Sequence, residues 1–169
     1  MAETTIKGLG RIFSKMKRDM QKEQRGMMRD LARITKSRAV SKFGVYQPQA
    51  GPFPAWKPLT ATTRHIREAA GFTPNDPLVR TGALKASVGA MHGDTWAETG
   101  SNDDVMYIME AGDNTTPPRP VFGPTLVESE TEIRALIARH TAVVVDQHGV
   151  VVKASSMSSG SGTEELSDA

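Results

Sequence analysis

The chain is 169 residues long, 38% hydrophobic and 24% charged, with only two Trp, two Tyr and five Phe. That fits one domain with a modest core and room for extensions. It holds no cysteine, which excludes disulfides, thiolate metal sites and cysteine nucleophiles and suits a reducing cytoplasm. Net charge is +2, yet residues 1–70 carry 15 Lys/Arg against 5 Asp/Glu, and residues 71–169 carry 6 against 14. So dipolar a chain can lay its basic part on DNA or on the acidic part of a neighbouring copy. No apolar run of signal-peptide length follows the first ten residues, and none approaches the roughly 20 residues of a membrane span, so no membrane association is expected.

Residues 4 to about 40 read as one long amphipathic helix. Ile6, Leu9, Phe13, Met16, Met20, Met27, Leu31 and Ile34 recur at steps of 3, 4 or 7, which keeps one stripe apolar. The opposite face carries Lys15, Arg18, Lys22, Arg25 and Arg29, the candidate DNA-facing residues. The plainer reading is a solvated basic face over a stripe that packs on the domain or on another subunit. Gly26 is a candidate bend, at a cost of about 1 kcal/mol relative to Ala.

Three prolines and a glycine force residues 47–54 into an extended loop. Thr60 or Thr62 is placed to cap a short helix over residues 63–70, ended by Gly71. From Leu78 the pattern turns β-like. Residues 84–91 are a candidate strand, 92–94 a turn and 95–100 the returning strand of a hairpin. Residues 103–110 suit a short helix, and residues 112–120 form a loop with three prolines. Pro124 then opens a helix running to about His140, with Leu126, Ile133, Leu136 and Ile137 inward. Residues 142–145 and 150–153 read as a second hairpin. From Ala154 the Ser/Gly-rich tail has too few apolar groups to order itself alone.

The predicted architecture is therefore α+β: a small antiparallel sheet packed by a C-terminal helix, with a long basic amphipathic N-terminal helix. The expected division is a helical assembly arm over 1–42, an α+β domain over 43–153 and a disordered tail over 154–169.

Three short segments stand out in order. They are Trp56-Lys57-Pro58-Leu59-Thr60 with Thr63 and Arg64, then residues 77–88 (Pro-Leu-Val-Arg-Thr-Gly-Ala-Leu-Lys-Ala-Ser-Val), then residues 118–124 (Pro-Arg-Pro-Val-Phe-Gly-Pro). Their order and spacing resemble the tail-completion, or virion-morphogenesis, family of tailed phages, over about residues 55–140. The pattern departs at Glu110, near the family's usual His, and at Arg119-Pro120-Val121-Phe122, where the family's Arg-Pro-Phe triplet is loosened. The resemblance implies a structural virion protein, made in the host cytoplasm. Its place would be a ring, six copies by family analogy, at the head–tail junction around the DNA channel. It also implies neighbouring neck and tail proteins as partners, and a tail-terminator or assembly-factor role is the near alternative. Trp56, Arg80, Arg119 and Phe122 are the candidate intersubunit residues.

These residues also have readings of their own. Trp56 is an anchor pinning its loop to the core, or else an interface plug. Thr81-Gly82 before Leu84 lets the chain turn tightly into a strand, since Gly82 can take a positive φ. Arg119 stands between two prolines, so its guanidinium is presented in a fixed direction, toward an acidic residue of the next subunit or toward its own helix.

No catalytic set can be nominated. His65, His92, His140 and His148 lie in different predicted elements without ligand spacing. Asp94, Asp103 and Asp104 lie beside turns, where Asp serves local hydrogen bonding. The expectation is a non-enzymatic protein without cofactor or metal, and the reading from another class is a DNA-binding accessory protein using the basic helix on phosphates.

Overall fold

The computed structural model describes residues 6–148. Its first element, α1 (Ile6–Ser41), is the long helix that the apolar periodicity predicts. It is not an appendage throughout. Ala32, Thr35 and Ala39 are buried and Phe43 follows at the helix end, so the last turns of α1 form one wall of the core. The division at residue 42 therefore falls inside a packed unit. Helix α1 continues unbroken through Gly26, and the His140 ring lies 3.5 Å from where a Cβ would stand. The glycine makes no bend, and a methyl group there would meet the ring at ordinary van der Waals distance.

After α1 the chain doubles back. Gly44 N donates to Pro77 O, and the proline loop closes on itself through the Ala50–Phe53 bridge and Trp56 N to Gln47 O. Helix α2 (Ala61–Ala69) starts at Thr60, whose Oγ1 accepts from Thr63 N, and stops before Gly71 at φ 77°. Of the two candidate caps, Thr60 is the one used.

Residues 84–91 do not form one strand. Their first half is a helical turn, α3 (Ala83–Ala86), and only β1 (Gly89–His92) is extended. Ala, Leu, Lys and Ala are all good helix formers, and Gly82 at φ 85° starts the turn without the steric cost another residue would bear. Strand β1 pairs antiparallel with β2 (Ala97–Gly100), from Gly89 opposite Gly100 to His92 opposite Ala97. This hairpin lies along α1: Thr35 Oγ1 meets Thr99 Oγ1 at 2.6 Å, and Arg25 reaches Asp94 near the tip. Helix α4 (Asp104–Ala111) is capped by Asp103, which accepts from Val105 N.

The predicted last helix is two. Helix α5 (Phe122–Glu128) ends at the buried Ser129, and α6 (Glu130–His148) follows at once. Leu136 is buried and Ile133 half-buried as expected, whereas Leu126 and Ile137 face outward. Residues 142–145 are not a strand; they belong to α6, and the other half of that proposed hairpin, 150–153, lies outside the described residues, as does the tail from 154. Valines favour strands, but an isolated two-stranded hairpin is marginal in water. A helix already running along α1 gains more by continuing, and Val143 and Val144 are half-buried there. Helices α1 and α6 are antiparallel: Arg38 pairs with Glu132, and His140 meets Glu23.

The core gathers Ala39, Phe43, Trp56, Leu78, Val88, Met106 and Val121 from most of these elements. Each large apolar side chain there contributes roughly 1.5–3 kcal/mol by leaving water. At its edge Lys42, almost wholly buried, holds Glu128 Oε2 at 2.6 Å and Gln47 Oε1 at 3.3 Å. That pairing ties the end of α1 to α5. The fold is thus α+β, a two-stranded antiparallel sheet packed against helices that include the C-terminal one. Among the described residues no helix is long and apolar enough to cross a membrane.

Candidate interaction surfaces

The first half of α1 leaves both of its faces in water. Leu9, Ile12, Phe13 and Met20 are exposed, Phe13 by 62%. Four large apolar groups on one stretch of helix are more than a lone surface Leu or Phe requires, and they form a face without cover among the described residues. Of the candidate DNA-facing residues, Lys15, Arg18, Lys22, Arg25 and Arg29 are all exposed. Arg25, however, is engaged within the chain. Its Nε lies 2.9 Å from Asp94 Oδ1 and its Nη2 lies 3.2 Å from Asp94 Oδ2. Arg29 has Asp30 at 3.8 Å. The basic face narrows toward Lys15, Arg18 and Lys22.

The three motif segments, far apart in sequence, meet in space. Trp56 is buried and its Nε1 donates to Pro120 O at 3.1 Å, so the anchor reading holds and the interface-plug reading does not fit this surface. Arg119 is only 5% exposed and turned inward. Its Nη2 donates to Lys57 O at 3.0 Å and its backbone N to Met109 O at 2.6 Å. Flanking prolines do fix its direction, but that direction is toward its own chain. Burial holds its pKa below the usual arginine value, with Tyr46 opposing that shift and the Arg67 charge adding to it. Phe122 is half-buried against the core. Of the four candidate interface residues only Arg80 is exposed, with its guanidinium carbon 5.8 Å from the centre of the Phe72 ring.

Around these segments lies a cleft of about 590 Å³. It is lined by the apolar Leu59, Leu78 and Met109 and by Arg67, Arg80 and Arg119. Arg67 is positioned by its Nη1, which donates to Asp76 O at 2.7 Å and Val79 O at 3.2 Å. Leu78 is held at φ 61°, a left-handed conformation costing a leucine about 1–3 kcal/mol that the surrounding fold must supply. Among the described residues no carboxylate forms an ion pair with any of the three guanidiniums; Asp103, at the cleft wall, is committed to capping α4. Arg119 Nε, fully buried, has no hydrogen-bond partner.

Several organising residues escape sequence reasoning. Glu110 accepts from Val121 N and Phe122 N, and its one visible signal was its departure from the family pattern. His140 sits between Glu23 (3.1 Å) and Asp30 (3.5 Å) where α6 crosses α1; no local spacing announces a contact over more than a hundred residues. The chain matches no family model, no curated protein and no solved structure.

Proposed function

We propose that this chain is a structural, non-enzymatic subunit of a tailed-phage particle, assembling as a ring where tail meets head. The observation that carries the reading is the projecting half of α1, where Leu9, Ile12, Phe13 and Met20 stand in water on a helix whose other half is core. Such a face is completed by assembly. The contact of Trp56 with Pro120, and of Arg119 with Lys57, supports treating the three family-like segments as one structural signature. Closed rings follow when the same two different surfaces meet around a rotation axis; six copies is the family's contribution, as are the neighbouring neck and tail proteins and the DNA channel.

Mass photometry of the purified chain, alone and with the proteins encoded beside it, tests the reading. A discrete closed oligomer in either setting is expected, and a strict monomer in both would sink it. A DNA-binding accessory role has the exposed Lys15, Arg18 and Lys22 in its favour. It requires affinity for duplex DNA that falls steeply with salt and vanishes when these three are changed to Gln.

A further inference from the structure

We propose that the cleft walled by Arg67, Arg80 and Arg119 receives the segment Glu164-Glu165-Leu166-Ser167-Asp168 of a second copy of this chain. This rests on the reading that copies assemble, and it names the contact.

The cleft is built for an anionic group that the described residues do not supply. Three arginines line it, and among the described residues none of them has an ion-paired carboxylate. Arg119 is nineteen-twentieths buried and its Nε lacks any partner, so its charge is held in a poorly solvated wall, where an opposite charge is attracted more strongly than in water. Part of the lining is apolar: Leu59 and Leu78 are buried and Met109 half-buried. A fitting occupant therefore presents carboxylates around one aliphatic side chain. Residues 164–168 do so, with Leu166 between Glu165 and Asp168. A concave site of this volume admits a peptide side chain and its neighbours. A DNA duplex is too wide to enter it.

Position favours a second copy over the same chain. Helix α6 begins beside Arg38, near the cleft end of α1, and runs away from it to pass Glu23. Its 19 residues carry the chain about 28 Å in that direction. Residues 149–163 span at most about 54 Å fully extended, so a return to the chain's own cleft consumes about half of that reach. A neighbour placed head to tail brings its cleft toward the departing segment instead. The contact joins two different surfaces, the kind that closes into rings.

The test uses the full chain carrying Glu164→Gln, Glu165→Gln and Asp168→Asn, which frees the cleft, and a fluorescent peptide of residues 160–169. Anisotropy is expected to show binding that weakens about tenfold or more when Arg80→Glu is added, since like charges are then juxtaposed. Arg80 is chosen because it is exposed and its loss spares the core. Replacing Leu166 by Ser in the peptide weakens binding too. In the unmodified chain, Arg80→Glu and the triple tail variant both reduce the oligomer. No peptide binding, or binding indifferent to Arg80→Glu, overturns the proposal, as does Arg80-dependent binding of duplex DNA in place of the peptide. An oligomer that persists unchanged in the tail variant overturns it while leaving assembly standing. Peptide binding by a chain that stays monomeric at every concentration overturns the second-copy contact and the ring reading together.

Discussion

Glu110 at the end of α4 holds the start of α5: its Oε1 accepts from Val121 N at 2.7 Å and from Phe122 N at 2.9 Å. Val121 supplies no side-chain cap of its own, so a carboxylate from another helix satisfies amides that a local Ser or Asp would otherwise take. Glu110→Ala leaves both amides half-buried without an acceptor. It is expected to cost about 1–2 kcal/mol. Glu110→Gln keeps an acceptor oxygen and is expected to lose less than half of that. Urea denaturation of the two variants checks the order.

The long helix divides at about its midpoint into an exposed half and a packed half. Deleting residues 1–17 removes the exposed Leu9, Ile12 and Phe13 and touches none of the positions buried among the described residues. The shortened chain is expected to melt within a few degrees of the full one while its oligomer is lost. Deleting residues 1–38 removes Ala32 and Thr35 and uncovers Leu136 and the hairpin. That chain is expected not to fold, by circular dichroism and by proteolysis, contrary to what an independent N-terminal arm would give.

Periodicity and capping chemistry made most elements legible. The spacing of Ile6 through Ile34 predicts α1, Thr60 announces α2, and Gly82 marks its turn. What those signals lack is any view of the partner. The valines after Thr141 read as a strand because their β preference is local, while the surface of α1 that keeps them helical is distant in sequence. Arg119 stays open between two directions because prolines fix a direction without saying where the rest of the chain lies. The cleft itself joins residues 58 to 119, and only the folded chain shows that its three arginines line one cleft.

The loop after α4 depends on one glycine. Gly112 sits at φ 73° and ψ 169°, and a Cβ there would stand 2.9 Å from both Pro118 N and Pro118 Cδ. Backbone conformation and backbone contact both forbid a side chain, so neither can relax for the other. Gly112→Ala is expected to cost about 2–4 kcal/mol, read as an earlier urea midpoint at unchanged slope.

Asp113 anchors the same loop by accepting from Thr115 N, Thr115 Oγ1 and Thr116 N. The Thr115 amide, its hydroxyl and the Thr116 amide, in that order, hold its pKa below the usual carboxylate value. A depressed pKa in the folded chain contributes stability above the unfolded pKa and loses it as pH falls through the folded value. The turn is therefore expected to hold at neutral pH and to loosen only in acid. NMR titration of the Thr115 and Thr116 amides should give a midpoint below 3.8. Asp113→Asn should abolish that titration while leaving the rest of the spectrum in place.

Arg119 is where reading from sequence and reading from structure make opposite predictions. A guanidinium reaching a neighbouring subunit contributes about 0–1 kcal/mol to the monomer, and Arg119→Ala would then melt like the parent. The buried side chain instead fills space beneath Lys57 and donates to its carbonyl. Truncation leaves a cavity and an acceptor without its donor, so Arg119→Ala is expected to destabilise the monomer by about 2–3 kcal/mol. Arg119→Met separates the two causes. It refills most of the volume and removes a charge whose Nε is already unpaired, and replacing a buried charge by an apolar group of similar size is often close to neutral. Met is therefore expected to recover most of the stability that Ala loses. Equal melting of Arg119→Ala and the parent chain would mean that in solution the side chain swings out from beneath Lys57, and the outward reading of its proline frame would stand.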